Sequence, residues 1–341
     1  MYSHITSAKL FICAVLFLLG VNSCSMMKDD LSDCPSGVWV KLDVSEDLEY
    51  RPKYSAESFA DDMNHVTLWV FDENGVYIDK FSESSAVLKQ NNNTMNLPIA
   101  PGKYQMVAWT GIENINFDVP AMTAGVSVMD DLKVRVARDA SSRYSRKLPS
   151  VWNGSIANVE VKPFEYTYLT VRLTKHTNTV NIVLHDTSGK DLDSDDFTFE
   201  IVAENGYMDY NSRLLSDADV IYNAYFLETA QVSDDNNAAQ QLSVARAELN
   251  TLRLMADKPS RFVVTNKITG ATVLSINLTE YLLLTRESFN GSNGTTMSPQ
   301  AYLDYEDMYR LVFFLSPTSN SYIITSLRIN GWIIRINNAD L

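Results

Sequence analysis

Apolar and polar residues alternate along many short segments of this chain. Val38, Val40, Leu42 and Val44 fall on one side of such a segment, with Trp39, Lys41 and Asp43 on the other. A period of two is typical of a strand with one buried face. Similar runs recur near residues 66–71, 104–109, 159–161, 180–184, 262–265, 272–278, 311–315 and 322–336. The pattern therefore predicts an all-β protein.

Turn signals separate these runs. Asn74-Gly75 lies between two apolar runs and predicts a hairpin, because both residues accept a positive φ. The strand pattern starts again after about Leu173, and the turn signals of the first half are echoed at 205–206 and 259–260. Short strands at this spacing favour β-sandwiches. We predict two of them, over residues 35–172 and 173–341.

Short helical insertions interrupt the second half. Ser298-Pro299 can cap and begin a helix that continues through Tyr305, and residues 278–286 predict another. Residues 242–256 fit the period of a helix and that of a strand, so the sequence leaves their structure open.

The N-terminus has the form of a lipoprotein signal. Residues 10–20 are almost wholly apolar but too short to span a bilayer, and small Ser23 precedes Cys24. We predict a signal peptide over residues 1–23, a diacylglycerol and an N-acyl chain on Cys24, and a tether over residues 24–34. The alternative is an ordinary signal peptide cut elsewhere, which leaves Cys24 as a free thiol.

Three residues of the tether carry a second signal. Lys28-Asp29-Asp30 resembles the signal that sends lipoproteins of Bacteroidetes to the outer cell surface, although a solvated acidic linker has the same composition. The expected location is the outer membrane, exposed at the surface and anchored by lipid.

Charge and cysteine content narrow the function classes. The chain has 28 basic and 42 acidic residues, and removal of residues 1–23 takes away only Lys9, which leaves 27 − 42 = −15. Such an excess of negative charge repels nucleic acid and anionic lipid headgroups, so neither is an expected partner. With Cys13 in the signal peptide and Cys24 acylated, Cys34 stands alone, so neither an intrachain disulfide nor a cysteine zinc site is expected.

No motif indicates catalysis. His65, His176 and His185 lie at the ends of predicted strands, without a nucleophile elbow nearby, and we interpret them as surface or strand-end residues. The acid pairs at 61–62 and 130–131 are interpreted as solvent-facing charge. We predict that the chain is not an enzyme and binds no cofactor other than its covalent lipid.

One acidic run invites a calcium hypothesis. Aspartates occupy alternate positions in residues 191–196, as they do at the start of an EF-hand loop. Positions six and twelve of such a loop require Gly and Glu, but Asp196 and Val202 occupy them here. A solvated turn is the favoured interpretation, with a looser surface calcium site as the alternative. No metal site is predicted.

Several motifs occur in order along the chain and carry a resemblance. They are Cys24, Cys34-Pro35, Val70-Phe71-Asp72-Glu73-Asn74-Gly75, Pro101-Gly102-x-Tyr104, Ala108-Trp109-x-Gly111, residues 302–309 (YLDYEDMY) and Ile329-Asn330-Gly331-Trp332. Together they resemble the FimB-type fimbrial anchor lipoproteins of Bacteroidetes, also described as fimbrillin-A-associated anchor proteins. The resemblance implies two tandem transthyretin-like β-sandwiches, fimbrial pilin subunits as partners, and assembly of a type V-like fimbria by β-strand addition.

Three points stay open at this stage. The expected function is the anchor that tethers the fimbria to the cell surface, and a lipidated stalk or tip subunit is the alternative, since Arg51 and Lys53 could be trimming sites behind the first strand. The run Tyr322 to Ile336 could be exchanged with a neighbouring subunit or could complete the second sandwich, with Trp332 expected in the core. The alternative function is a surface glycan-binding lipoprotein of a polysaccharide-uptake system, and a host or bacterial surface ligand is compatible with either function.

Overall fold

The computed structural model describes residues 37–44, 56–113, 115–234, 237–288, 296–318 and 322–334. Their strands are β1 (Gly37–Asp43), β2 (His65–Asp72), β3 (Tyr77–Ser84), β4 (Thr94–Leu97), β5 (Gly102–Thr110), β6 (Phe117–Asp118), β7 (Val134–Val136), β8 (Arg143–Tyr144), β9 (Trp152–Val161), β10 (Tyr166–Arg172), β11 (Thr174–Lys175), β12 (Asn178–Asp186), β13 (Phe197–Ala203), β14 (Tyr207–Met208), β15 (Val220–Asn223), β16 (Phe226–Asp234), β17 (Asn237–Thr251), β18 (Arg261–Asn266), β19 (Thr272–Asn277), β20 (Met308–Pro317), β21 (Tyr322–Ile329) and β22 (Trp332–Ile334). The helices are α1 (Ala56–Asp62), α2 (Ser85–Gln90), α3 (Leu278–Leu283) and α4 (Pro299–Tyr305). The protein is therefore mostly β, with few helices, as the sequence predicts.

Two sheets in the first half of the chain enclose one core. A three-stranded sheet of order β10-β1-β4 lies against a five-stranded sheet of order β11-β9-β5-β2-β3. The alternating residues Val38, Val40 and Leu42 are at most 1% exposed and pack with Val66 and Leu68. The predicted hairpin at Asn74-Gly75 joins β2 to β3, which pair antiparallel.

The five-stranded sheet is covered on both faces. Along β2, Val66, Leu68 and Val70 face the first core, whereas Trp69 and Phe71 join a second hydrophobic cluster on the other side. Residues 112–151 supply part of that cover, and their strands β7 and β8 pair with β14 and β15 of the second half. The two halves of the chain therefore share a continuous apolar cluster.

The second half also builds two large sheets. One has the order β16-β17-β12-β20-β21-β22 and the other the order β19-β18-β13-β15-β8. The ambiguous segment at 242–256 forms most of β17, because it pairs on both sides, with β12 and with β16. Both predicted helices are confirmed, and the Ser298 hydroxyl accepts a hydrogen bond from the Ala301 amide at the start of α4.

Candidate assembly surfaces and binding cleft

The first strand is held inside its sheet. β1 pairs in parallel with β10 over seven positions, from Gly37 with Tyr166 to Asp43 with Arg172, and antiparallel with β4 on its other edge. Two backbone bonds extend this pairing, from the Leu42 amide to the Asn93 carbonyl and from the Leu173 amide to the Asp43 carbonyl, each 2.8 Å long. Both edges of β1 are therefore hydrogen-bonded within its own chain.

The last two described strands play different roles. On β21, Ile324, Leu327 and Ile329 are at most 4% exposed and belong to the core, so this strand is an integral part of the six-stranded sheet. β22 lies at one edge of that sheet, and Trp332 and Ile333 on it are 57% and 64% exposed. The prediction that Trp332 packs in the core is wrong, because its strand lies at the edge of the sheet and its side chain is more than half exposed.

The strand directions set where each terminus of the described chain points. β1 starts at the far end of the first sandwich and runs toward Leu173, next to the crossing into the second half. β22 starts beside Ile329, whose partner on β20 is Leu311 near that crossing, and runs away from it. Each terminal strand therefore has its free end directed away from the crossing.

A buried ion-pair cluster lies at this crossing. Lys175 Nζ is 2.7 Å from Asp62 Oδ2 and 3.0 Å from Asp307 Oδ2, and the Lys175 and Asp307 side chains are 13% and 8% exposed. The Ser150 hydroxyl also donates to the Asp62 carboxylate, at 2.8 Å. The interpretation of Asp62 as solvent-facing charge is therefore wrong, since the side chain is drawn inward by Lys175, whereas its neighbour Asp61 remains exposed and pairs with Lys89.

His176 follows directly in the crossing and is not a surface residue. It is 2% exposed and its ring lies 6.3 Å from that of Trp109. Burial, with the nearby positive charge of Arg253, lowers the pKa of His176 from 6.5 to about 3. The histidine is therefore neutral in the folded protein at physiological pH, and no nucleophile or carboxylate bonds to either ring nitrogen among the described residues.

The other acidic residues considered as candidate sites accept local hydrogen bonds or lie exposed at the surface. The Asp193 carboxylate accepts hydrogen bonds from the Asp195 amide and the Thr229 hydroxyl, each 3.0 Å long, and Asp191 accepts from the Ser243 amide. Asp130 and Asp131 are exposed, as expected, and Asp131 accepts from the Val128 amide. Within the described part of the chain, no group of three or more His, Cys, Asp or Glu residues is placed to hold a metal ion.

A polar cleft opens beside the crossing. It has a volume of about 650 Å³ and lies between residues of the first half and the outer face of the six-stranded sheet. Its lining includes Lys147, Ser150 and Lys175 on one side and outward residues of β12, β17 and β20 on the other. The lining combines positions near 62, 147, 175, 247 and 310, so no local motif could have indicated it.

The predicted lipidation and export residues, Cys24, Lys28, Asp29 and Asp30, lie outside the described residues, as do Cys34, Arg51 and Lys53. Where the structure is described, no helix has the length and apolarity needed to cross a membrane. These site assignments therefore stay predictions.

The geometry defines a class of protein. The described residues form several paired β-sheets, with a first strand that is paired on both edges and a last described strand at the edge of its sheet. This is the arrangement of a β-protein with an exposed strand edge at which another strand could add.

Comparison with known proteins identifies the family. The model of the fimbrillin-A associated anchor proteins Mfa1 and Mfa2 matches residues 31–338, and the chain belongs to this family. The chain is 21% identical over 328 residues to the minor fimbrium anchoring subunit Mfa2 of Porphyromonas gingivalis, covering 94% of this chain and 93% of that protein.

Solved structures have the same fold. A proposed polysaccharide-binding protein of Bacteroides thetaiotaomicron is 29% identical with a TM-score of 0.72, over 90% of this chain and all (100%) of that one. The fimbrial anchor protein Mfa2 of P. gingivalis has a TM-score of 0.64 at 19% identity, over 89% of this chain and 99% of that one, which shows the common fold alone. The resemblance inferred from the sequence motifs is confirmed, and the class is structural, not enzymatic.

Proposed function

We propose that this protein is a lipoprotein of the outer membrane, acylated on Cys24, that anchors a type V-like fimbria to the cell surface. The observation that supports the proposal is the pairing of the first strand on both of its edges. β1 fills its own sheet between β4 and β10, with both edges paired and its inner face buried. A subunit that keeps this strand has no vacant position there for a neighbour's strand and is suited to end a fimbria.

Strand addition at the other end of the chain would join the anchor to its pilin. β22 carries exposed Trp332 and Ile333, and no described strand pairs with its outer edge, so an added strand could hydrogen-bond there. Exchange of the whole run from Tyr322 is disfavoured, because it would uncover Ile324, Leu327 and Ile329. Each of these side chains contributes roughly 1.5–3 kcal/mol when buried. The proposal therefore places the exchange at β22 and the residues after it, with tandem transthyretin-like sandwiches over 35–172 and 173–341 as the scaffold.

The anchor assignment is tested on protein extracted from membranes. Intact mass and N-terminal analysis should find two or three acyl chains on Cys24 and an uncut first strand. Cys24→Ser should release the protein from the membrane fraction, whereas Cys34→Ser should leave it there. An N-terminus near residue 52 or 54 would instead identify a trimmed stalk subunit.

The proposed joining edge is tested by a charge on β22. Ile333→Lys should abolish co-purification with the pilin of the same cell surface, because it places a charge in the strand that would be paired. Ile268→Lys is the matched control, since Ile268 is 74% exposed on the turn between β18 and β19. Equal pilin recovery with both variants would contradict the assignment of β22.

Sugar binding is a second candidate function, and the polar cleft is the observation that favours it. Its volume of about 650 Å³ lies within the range of roughly 300–1,000 Å³ usual for ligand sites. The relative described as a proposed polysaccharide-binding protein, at 29% identity, supports this candidate. Affinity electrophoresis in gels that contain polysaccharide tests it, and unretarded migration in every gel would exclude it.

A further inference from the structure

The charged side chains around the polar cleft differ in whether they have an ion-pair partner. Each of its acids contacts a cation: Asp62 pairs with Lys175, and Glu248 accepts from Arg246 at 2.7 Å and from the Tyr225 hydroxyl at 3.1 Å. Both cations are shared, because Lys175 also pairs with Asp307 and Arg246 also pairs with Glu228, at 2.9 Å. Lys175 and Arg246 are therefore not available to an anionic ligand.

Two positively charged side chains of the cleft form no ion pair with a described residue. Among the described residues, neither Lys147 nor Arg310 has a carboxylate oxygen within 4.0 Å, and both side chains are exposed. Lys147 Nζ lies 5.7 Å from the centre of the Tyr225 ring. In a chain with a net charge of −14, the cleft thus offers two exposed cations that have no carboxylate partner among the described residues.

The sheet register places a neutral donor beside Arg310. Asn181 is directly opposite Arg310 on the β20 side and opposite Glu248 on the β17 side. A line of Glu248, Asn181 and Arg310 therefore crosses the floor of the cleft. Val183 and Val312, the next pair along the same strands, lie beside this line and give a small apolar surface.

Building on the candidate sugar-binding function, we propose that this cleft binds an acidic glycan, with the carboxylate of one sugar unit on Arg310 and that of another on Lys147. A guanidinium can hold a carboxylate through two parallel hydrogen bonds. Sugar hydroxyls can bond with Asn181 and Glu248, and the C–H face of the ring can rest on Val183 and Val312. An acidic peptide is disfavoured because the floor consists of interior strands whose backbone groups are already paired, so a peptide could not add as a strand.

The experiment compares charged and neutral sugars on the full-length protein. Isothermal titration with a trisaccharide of galacturonic acid should detect binding, and a galactose trisaccharide should bind at least tenfold more weakly. Arg310→Ala and Lys147→Ala should each weaken binding of the acidic sugar about tenfold or more, the usual effect of losing a hydrogen bond to a charged group. Raising the salt from 50 to 500 mM should weaken it further, because the contacts are ionic.

Arg261→Ala is the matched control, since Arg261 is an exposed arginine on β18, in the other large sheet of the second half. It should leave the affinity unchanged, and all variants should melt within 1–2 °C of the wild type because the three side chains are exposed. Equal affinity for the two sugars would overturn the charge assignment but leave sugar binding intact. No binding of either sugar, or tighter binding of a hexaglutamate peptide, would overturn the proposal as a whole. None of these results bears on pilin recovery, so the anchor function stands or falls separately.

Discussion

Removal of the Lys175 side-chain charge is expected to weaken the crossing between the two halves of the chain. Lys175→Met keeps most of the side-chain volume but removes the positive charge that lies 3.0 Å from the Asp307 carboxylate, whose side chain is 8% exposed. Asp62 is 30% exposed and can recover some hydration, so Asp307 carries most of the cost. The substitution therefore tests whether this cluster holds the halves together.

The magnitude follows from the burial of the pair. Removal of one partner from a buried ion pair costs about 3–5 kcal/mol, and we take about 3 kcal/mol because Asp62 is partly solvated. Unfolding entropy is roughly 2.1 cal/mol/K per residue, or about 0.6 kcal/mol/K for some 300 residues. The expected fall in Tm is therefore about 5 °C if the two halves unfold together.

Differential scanning calorimetry measures this shift, and two variants calibrate it. Lys89→Met breaks the exposed pair with Asp61 and should lower Tm by less than about 2 °C, since exposed pairs contribute under about 1 kcal/mol. Lys175→Met combined with Asp307→Asn should recover more than half of the loss, because no buried charge is left unpaired. A Tm for Lys175→Met no lower than that for Lys89→Met would refute the reasoning.

Three further predictions concern stability. Stability should fall as the pH drops from 6.5 toward 3, because His176 binds a proton in the unfolded chain but not in the folded protein. Urea titrations should show that the free energy of unfolding falls by about 2 kcal/mol between pH 7.5 and 5, and His176→Leu should abolish this fall. Gly154→Ala should cost about 3 kcal/mol in the same assay, since its Cβ would lie 1.9 Å from the Arg172 carbonyl oxygen and the backbone must shift; a cost under 1 kcal/mol would contradict this close approach. Ser298→Ala should cost about 1 kcal/mol by removing the cap of α4, and Ser298→Asp should restore most of it.

Local pattern predicted the strands well where one face of a strand is buried. Val38, Val40 and Leu42 alternate with outward residues, and the structure buries that set. The run at 66–71 is continuously apolar instead, and the structure explains it, because β2 is covered on both faces. Period alone could not decide residues 242–256, since Leu242, Ala245 and Leu249 fit a helix whereas Leu252 and Leu254 fit a strand. Pairing with β12 and β16 selected the strand for the residues up to 251.

Contacts between distant residues explain where the sequence predictions failed. Asp62 and Lys175 are 113 positions apart, and nothing near either residue indicates that they meet. The expectation of a buried Trp332 rested on the usual burial of tryptophan, whereas its position at a sheet edge depends on where the last strand adds. The sequence could not predict the cleft for the same reason, because Lys147 and Arg310 line one cleft only in the folded chain.

The strand directions have a mechanical consequence for an anchor. A membrane tether at the N-terminus would pull β1 along its own axis, away from the crossing, and a fimbria bound at β22 would pull that strand along its axis too. Such a force would shear β1 along β10, and because the bonds of a parallel pair are evenly spaced, the seven paired positions would be loaded together, not one at a time. The load must then pass from one half to the other through residues 174–178 and the contacts beside them. Lys175, bound to Asp62 before the crossing and to Asp307 after it, lies on that path, so in single-molecule pulling the two halves of the Lys175→Met protein should separate from each other at lower force than those of the Lys89→Met protein.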